Sequence, residues 1–162
     1  MALNNYWMRR QALAAFAASL LFPPGLFPQG NILTVDPPSA VPAKRGTTVQ
    51  SKLKVTLQPG FHANSNTPSE DYLIPMKLTW TPAPLDSPSV VYPKGQMEKY
   101  EFSDKPISVY TGTFDLVTTF KVPSNAPVGP SIVTGKLRYQ ACNNKACFPP
   151  KTLEVKLSVQ VQ

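Results

Sequence analysis

The stretch LRYQACNNKACFPP, residues 137–150, contains both cysteines of the chain and lies between two segments of alternating polarity. Residues 132–139 and residues 153–159 alternate apolar with polar side chains, which is typical of strands with one buried face. The residues between the cysteines are mostly polar, and asparagine favours turns. We therefore predict a β-hairpin with Cys142 and Cys147 on opposite limbs near its tip, where a disulfide can form.

A disulfide between Cys142 and Cys147 could serve either as a structural cross-link or as a redox-active pair. In the chain-entropy model, closing a loop of about six residues adds roughly 2 kcal/mol of stability, against roughly 4–5 kcal/mol for a loop of about a hundred residues. The hairpin already holds the two residues near each other, so the cross-link adds little. The short spacing therefore favours redox use, and a structural disulfide remains the alternative.

Two motifs resemble those of a known family. The string YQACNNKACFPP resembles the C-terminal part of the N-terminal periplasmic domain of DsbD, the thiol:disulfide interchange protein. The string PGFHANSNTPSEDYLIP, residues 59–75, is similar to a segment of fused and stand-alone members of that family. The resemblance covers about residues 35–160. It implies an immunoglobulin-like domain that relays a reducing pair between a membrane electron carrier and extracytoplasmic partners.

The composition predicts an all-β domain. The chain has 162 residues, with 19 prolines and 8 glycines. Such frequent turn-forming residues favour short strands separated by turns. Seven to nine short antiparallel strands over residues 31–162 are typical of a β-sandwich, and the resemblance implies that this sandwich is immunoglobulin-like. Residues 30–46 are expected to be an extended lead-in and residues 61–71 a polar loop. Besides the hairpin, strands are predicted at residues 47–57, 72–80, 89–92, 99–102, 107–110 and 112–122.

The N-terminal 30 residues are predicted to be a leader helix, acting as a signal peptide or an N-terminal membrane anchor. Arg9 and Arg10 precede an apolar run of about a dozen residues, which is short for a membrane span and suits the core of a signal peptide. The remainder is therefore expected to be periplasmic or otherwise extracytoplasmic, where disulfides persist. Contact with a membrane is expected only through this segment, if it stays uncleaved.

The net charge of +7 falls to +5 without Arg9 and Arg10. The remaining charges are isolated lysines rather than a stripe with stacking aromatic residues, so nucleic-acid binding is not expected. We interpret the basicity as a solvated surface that gives some steering of acidic partners.

Cys142 and Cys147 are the predicted catalytic residues, because a thiolate is the attacking species in thiol–disulfide exchange. Lys145 lies between them and could lower the pKa of a thiol, although a solvated turn charge is the alternative. Tyr139 lies just before Cys142 and is a second candidate modulator. His62, the sole histidine, could orient or deprotonate the dithiol, or could be a turn residue satisfied by its own loop.

The resemblance also implies a cap over the cysteines at residues 97–106. Phe102 would be the shielding ring and Glu101 a carboxylate able to influence a thiol proton, with a surface hairpin and an inward Phe as the alternative. No metal and no cofactor are expected. The implied activity is that of a thiol–disulfide oxidoreductase of the protein-disulfide reductase type. The alternative function is a non-catalytic secreted binding module with a structural hairpin disulfide.

The resemblance implies partners on separate polypeptides. The chain has neither a polytopic membrane segment nor a thioredoxin-like Cys-x-x-Cys motif. The expected electron donor and clients are therefore a membrane-embedded thiol electron carrier and thioredoxin-like extracytoplasmic proteins.

Overall fold

The computed structural model describes residues 31–162, and this part of the chain consists of strands and turns without a helix. None of it could therefore cross a membrane as a helix. The predicted leader, residues 1–30, lies outside the described residues. The strands are β1 (Leu33–Val35), β2 (Val41–Ala43), β3 (Thr48–Leu57), β4 (His62–Asn64), β5 (Lys77–Thr81), β6 (Asp86–Val91), β7 (Gln96–Glu98), β8 (Ile107–Thr111), β9 (Thr113–Lys121), β10 (Gly129–Tyr139), β11 (Ala141–Cys142) and β12 (Lys151–Val161).

The predicted hairpin is confirmed as the pair β10 and β12. These strands run antiparallel from the pair Gly129 and Val161 to the pair Tyr139 and Lys151. Alternate residues of both strands are buried, as the alternating polarity requires. With β2 and β5 they form a four-stranded sheet in the order β2-β12-β10-β5, which we call the hairpin sheet. Its edge strand β2 runs parallel to β12, so the sandwich is not wholly antiparallel.

The opposite layer is built from two further sheets, with strand orders β1-β3-β9-β6 and β11-β4-β8-β7. Three chain segments, residues 48–64, 86–98 and 107–121, pass through both, so we call them together the bent sheet. Gly112 lies between β8 and β9 at the bend, and its φ of +60° is in the left-handed region that glycine adopts readily. Gly60, with a φ of +83°, makes the matching turn between β3 and β4.

The main core lies between the two layers and confirms the immunoglobulin-like all-β fold. Trp80 of β5 reaches across the core, where its Nε1 donates a hydrogen bond to Thr118 Oγ1 of β9 at 3.0 Å. The indole packs on Phe120 with the ring centroids 5.3 Å apart. It also lies flat against Gly135, where an added Cβ would come within 2.7 Å of the ring. A side chain at position 135 would therefore overfill the core.

Several predicted elements differ from the structure. Residues 99–102 form a turn rather than a strand, because the aromatic rings there fold back towards β4. The predicted polar loop at residues 61–71 contains a buried strand, β4, and the strand predicted at residues 72–80 begins only at Lys77. The twelve strands exceed the predicted seven to nine, since β1, β2, β4 and β7 have three residues each. Such short strands carry too few positions for an alternation signal.

Candidate functional site

The two cysteines form the predicted disulfide at the tip of the β10–β12 hairpin. The sulfur atoms of Cys142 and Cys147 are 2.00 Å apart and the Cα atoms 3.9 Å apart. Asn143 N donates a hydrogen bond to Ala146 O at 2.9 Å on one side of the pair. On the other side, Phe148 N donates a hydrogen bond to Ala141 O at 2.8 Å. The cysteines therefore occupy a non-hydrogen-bonded antiparallel pair, the position at which facing side chains come closest.

The two sulfurs lie in different surroundings. Cys142 ends β11 and is 0% exposed, with the strand paired to β4. Cys147 lies outside the strands and is partly exposed. A sulfur atom must be approached along the S–S axis for exchange to occur, so access decides which cysteine reacts. Of the two cysteines, Cys147 is the one that solvent reaches.

The side chains of Gln140, which is partly buried, and Asn64, which is buried, join the cysteine segment to β4 by hydrogen bonds. Gln140 is the single residue between β10 and β11, and its Oε1 accepts hydrogen bonds from Asn64 Nδ2 at 3.0 Å and Ile74 N at 3.1 Å. Its Nε2 donates to Phe148 O at 3.2 Å. This network joins both limbs of the cysteine segment to the bent sheet. Sequence reasoning missed Gln140 and Asn64, because hydrogen bonds of amide side chains leave no periodic signature in a sequence.

His62 lies beside the disulfide. It is the register partner of Cys142, so the two side chains share one face of the bent sheet. It is 2% exposed, and its Nε2 has no hydrogen-bond partner. Burial lowers the pKa of His62 to about 4, with a smaller opposing effect of Glu98, so the imidazole is neutral at neutral pH. His62 is therefore a buried strand residue, and not a turn residue satisfied by its own loop.

The loop between β7 and β8, residues 99–106, folds over His62, and we call it the cap loop. Tyr100 stacks on the imidazole with centroids 3.8 Å apart and an interplanar angle of 15°. The ring centroid of Phe102 lies 6.1 Å from that of His62 and 5.6 Å from that of Tyr100, and the three rings are nearly parallel. The Tyr100 hydroxyl donates a hydrogen bond to the Glu98 carboxylate. Burial, together with this bond and the charge of Glu98, raises the pKa of Tyr100. The loop thus holds two aromatic rings over the histidine.

The other predicted site residues do not belong to this stack of rings. Tyr139 is 2% exposed in the main core, and burial raises its pKa. Glu101 is exposed on the cap loop, and Lys145 is exposed in the turn between the cysteines. The backbone N–H of Lys145 donates to Asn143 Oδ1 at 2.9 Å, which shapes that turn.

Sequence reasoning did not single out Tyr100 or Glu98 as site residues. The only signal for them was the acidic and aromatic composition around residue 100. The groove beside the disulfide, about 510 Å³ in volume, is lined by Phe61, His62 and Tyr100 and by Asn144 of the cysteine turn. Within residues 31–162, no three histidine, cysteine or acidic side chains gather as a metal site would require.

Comparison with known proteins identifies a family. The family model described as "Thiol:disulfide interchange protein DsbD, N-terminal" matches residues 29–159. Among solved structures, the chain is similar to the N-terminal periplasmic domain of ScsB from Proteus mirabilis, with 16% identity and a TM-score of 0.58. That alignment covers 80% of this chain and 47% of the other, so the chain spans about half the length of that relative.

Two further solved structures are similar at lower TM-scores. The reduced form of the Neisseria meningitidis DsbD N-terminal domain has 20% identity and a TM-score of 0.42, over 68% of this chain and 77% of that one. A PapD-like domain of human CEP192 has 15% identity and a TM-score of 0.42, over 92% and 98%. No curated protein matches the chain.

Proposed function

Because the chain belongs to the family of DsbD N-terminal domains, we propose that it relays reducing equivalents between extracytoplasmic proteins through Cys142 and Cys147. The family and the bonded cysteine pair make it a thiol–disulfide interchange domain. The observation that carries the finer proposal is the asymmetry of the pair: Cys142 is buried beside His62, while Cys147 is partly exposed. The exposed sulfur of Cys147 suits the role of the atom that is attacked, and the buried sulfur of Cys142 suits the role of the leaving atom.

In the proposed reaction, a thiolate of the electron donor attacks the sulfur of Cys147. The donor–Cys147 bond forms, the Cys142–Cys147 bond breaks, and Cys142 leaves with the electron pair and takes up a proton. A second donor thiolate then attacks the donor sulfur of the mixed disulfide and releases Cys147, so that two electrons have entered the domain. The reduced pair passes them on when the Cys147 thiolate attacks a client disulfide and Cys142 resolves the mixed disulfide.

His62 is proposed as a positioning residue for Cys142. A neutral imidazole has one acceptor nitrogen, and Nε2 is buried without a partner. Since His62 and Cys142 share a face of the bent sheet, the thiol released on reduction can donate its S–H to that nitrogen. This contact would satisfy the imidazole only in the reduced form, and so would favour Cys142 as the leaving sulfur.

We further propose residues 1–30 as the signal peptide or membrane anchor and residues 31–162 as the exchange domain, located in the periplasm. The chain has one cysteine pair, so we place the electron donor and the clients on other domains or polypeptides. A membrane-embedded thiol carrier as donor and thioredoxin-like proteins as clients fit this arrangement. Phe102 is proposed to act with Tyr100 as shielding rings, while Glu101 and Lys145 are proposed to modulate the thiols as exposed charges.

The full burial of Cys142 favours a second candidate, a binding module whose disulfide is structural. The reduction potential separates the two functions. An exchange pair should have a potential above about −300 mV, whereas a structural disulfide should lie below it. Equilibration of the protein with dithiothreitol redox buffers, followed by alkylation of free thiols, measures this potential. A reduction potential below about −300 mV would contradict the relay function and support the binding module.

The cap loop is expected to slow reduction by small thiols. Stacked aromatic contacts contribute about 0.5–1.5 kcal/mol each, so removing both rings in Tyr100→Ala/Phe102→Ala should speed reduction by dithiothreitol about tenfold. Tyr100→Phe keeps the stacked ring and should stay slow. The control Ile132→Ala truncates an exposed apolar residue on the hairpin sheet, away from the cap loop. Equal rates for the double variant and the control would show that the rings do not shield the disulfide.

A further inference from the structure

We propose that the outer face of the hairpin sheet is a docking surface for a redox partner with an acidic surface. The partner's carboxylates would lie along Lys77 and Arg138 while its reactive sulfur reaches Cys147. This inference rests on the proposed exchange function, and it names the chemistry of the partner.

The strands of the hairpin sheet carry an excess of positive charge. They contain five cationic side chains and one carboxylate, and all six are exposed. The cations are Lys77, Lys136, Arg138, Lys151 and Lys156, and the carboxylate is Glu154. An exposed field of one sign raises the rate of encounter with molecules of the opposite sign.

These cations differ from those of the other layer in having few internal counter-charges. Within residues 31–162, Lys156 alone among the five forms an ion pair, with Glu154 at 3.1 Å. In the bent sheet, by contrast, Lys52 pairs with Asp115 at 3.2 Å and Lys54 with Asp36 at 3.9 Å. The charge of the hairpin sheet is therefore available to an external partner.

The register places two of the unpaired cations opposite each other. Arg138 of β10 faces Lys77 of β5, and like charges directly opposite destabilise a sheet. The fold alone gains nothing from this arrangement. A carboxylate that binds between the two side chains would turn the repulsion into two attractive contacts, one of them able to be bidentate at the guanidinium.

Arg138 and Lys151 lie at the disulfide end of the sheet. Arg138 is four residues before Cys142 and Lys151 is four residues after Cys147, which corresponds to at most about 14 Å of extended chain. The cap loop and its β7 flank carry the carboxylates Glu98, Glu101 and Asp104 together with Lys99 and Lys105, a net charge of −1. The clear excess of positive charge near the disulfide therefore lies on the hairpin sheet and not on the cap loop. A protein partner with a sulfur and a matching acidic surface fits this, whereas a lipid surface would bring no sulfur to Cys147.

The inference can be tested with two synthetic peptides, each with one cysteine held as a disulfide to 2-thiopyridine. Glutamates flank the cysteine in one peptide and lysines in the other. The thiolate of Cys147 in the reduced protein attacks the peptide sulfur, and the thiopyridine leaves with the electron pair, takes up a proton and is followed by absorbance. Cys142 then attacks Cys147 and releases the peptide thiol, so that two electrons have passed to the peptide disulfide.

We expect the acidic peptide to react about tenfold faster than the basic peptide at about 20 mM salt. The preference should disappear near 0.5 M salt, because the screening length is then only about 4 Å. Lys77→Gln/Arg138→Gln should lower the preference at least about threefold. The matched control Lys52→Gln/Lys54→Gln also removes two positive charges, but from the bent sheet, and should keep the preference. Thermal unfolding checks that both variants remain folded.

Equal rates for the two peptides, or an equal loss of preference in the control, would overturn the inference. The inference would also be overturned if the protein showed no peptide preference but bound phosphatidylserine vesicles through Lys77 and Arg138. In that case the outer face of the hairpin sheet would be a lipid-binding surface. A reduced protein that releases thiopyridine from neither peptide would instead contradict the exchange function, and the inference would fall with it. A preference confined to the hairpin sheet supports both.

Discussion

Replacement of Cys142 with alanine should turn the protein into a trap for its partner. Cys147 is the partly exposed sulfur, so its thiolate can still attack a partner disulfide, but no second thiol remains to resolve the product. Mixed disulfides should therefore accumulate and be visible as higher-mass bands that a reductant removes. Extracts of a host that exports the protein, blocked with acid and alkylated before non-reducing electrophoresis, provide the measurement.

Replacement of Cys147 with alanine should have the opposite effect. The remaining thiol, Cys142, is 0% exposed and can react only after local opening of the cysteine segment. An opening free energy of about 3–4 kcal/mol would slow its reaction with 2,2′-dithiodipyridine by roughly 10²–10³-fold relative to Cys142→Ala. Capture of partners by Cys147→Ala but not by Cys142→Ala would reverse the assigned order of attack, and capture by neither would remove support for the relay.

Acid should destabilise the oxidised protein through His62. The pKa of His62 is about 4 in the folded state, below the ordinary value of 6.5. The unfolded state therefore binds more protons between these values, and the free energy of unfolding falls as the pH falls through 6.5 towards 4. The loss between pH 7 and pH 5 should be about 2 kcal/mol, and it is recovered when the pH rises.

This pH window isolates one group, because His62 is the sole histidine of the chain. The groups that face it are Tyr100, whose raised pKa keeps it neutral here, and Glu98, whose carboxylate accepts the Tyr100 hydrogen bond. Urea unfolding at a series of pH values should show the slope in the native chain and its near absence in His62→Gln. An unchanged slope in His62→Gln would place the titrating group elsewhere and remove the argument for a neutral buried imidazole.

The sequence alone was enough to predict the hairpin and the pairing of the cysteines. Alternation over residues 132–139 and 153–159 reports which face of each strand is buried, and it depends only on neighbours along the chain. The position of Cys142 and Cys147 on either side of a short polar turn brings them together by local geometry. For the same reason, the family motif at residues 139–150 was recognisable without coordinates.

The tertiary structure alone decided how the two sulfurs differ. His62 lies eighty residues before Cys142, and the two become register partners only through the pairing of β4 with β11, which have three and two residues. Strands that short carry no periodic signal. The stacking of Tyr100 on His62 likewise depends on how the cap loop folds back, which no local pattern records. Burial is a property of the packed molecule, so the more exposed sulfur and the unpaired cations can be identified only once distant segments have been brought together.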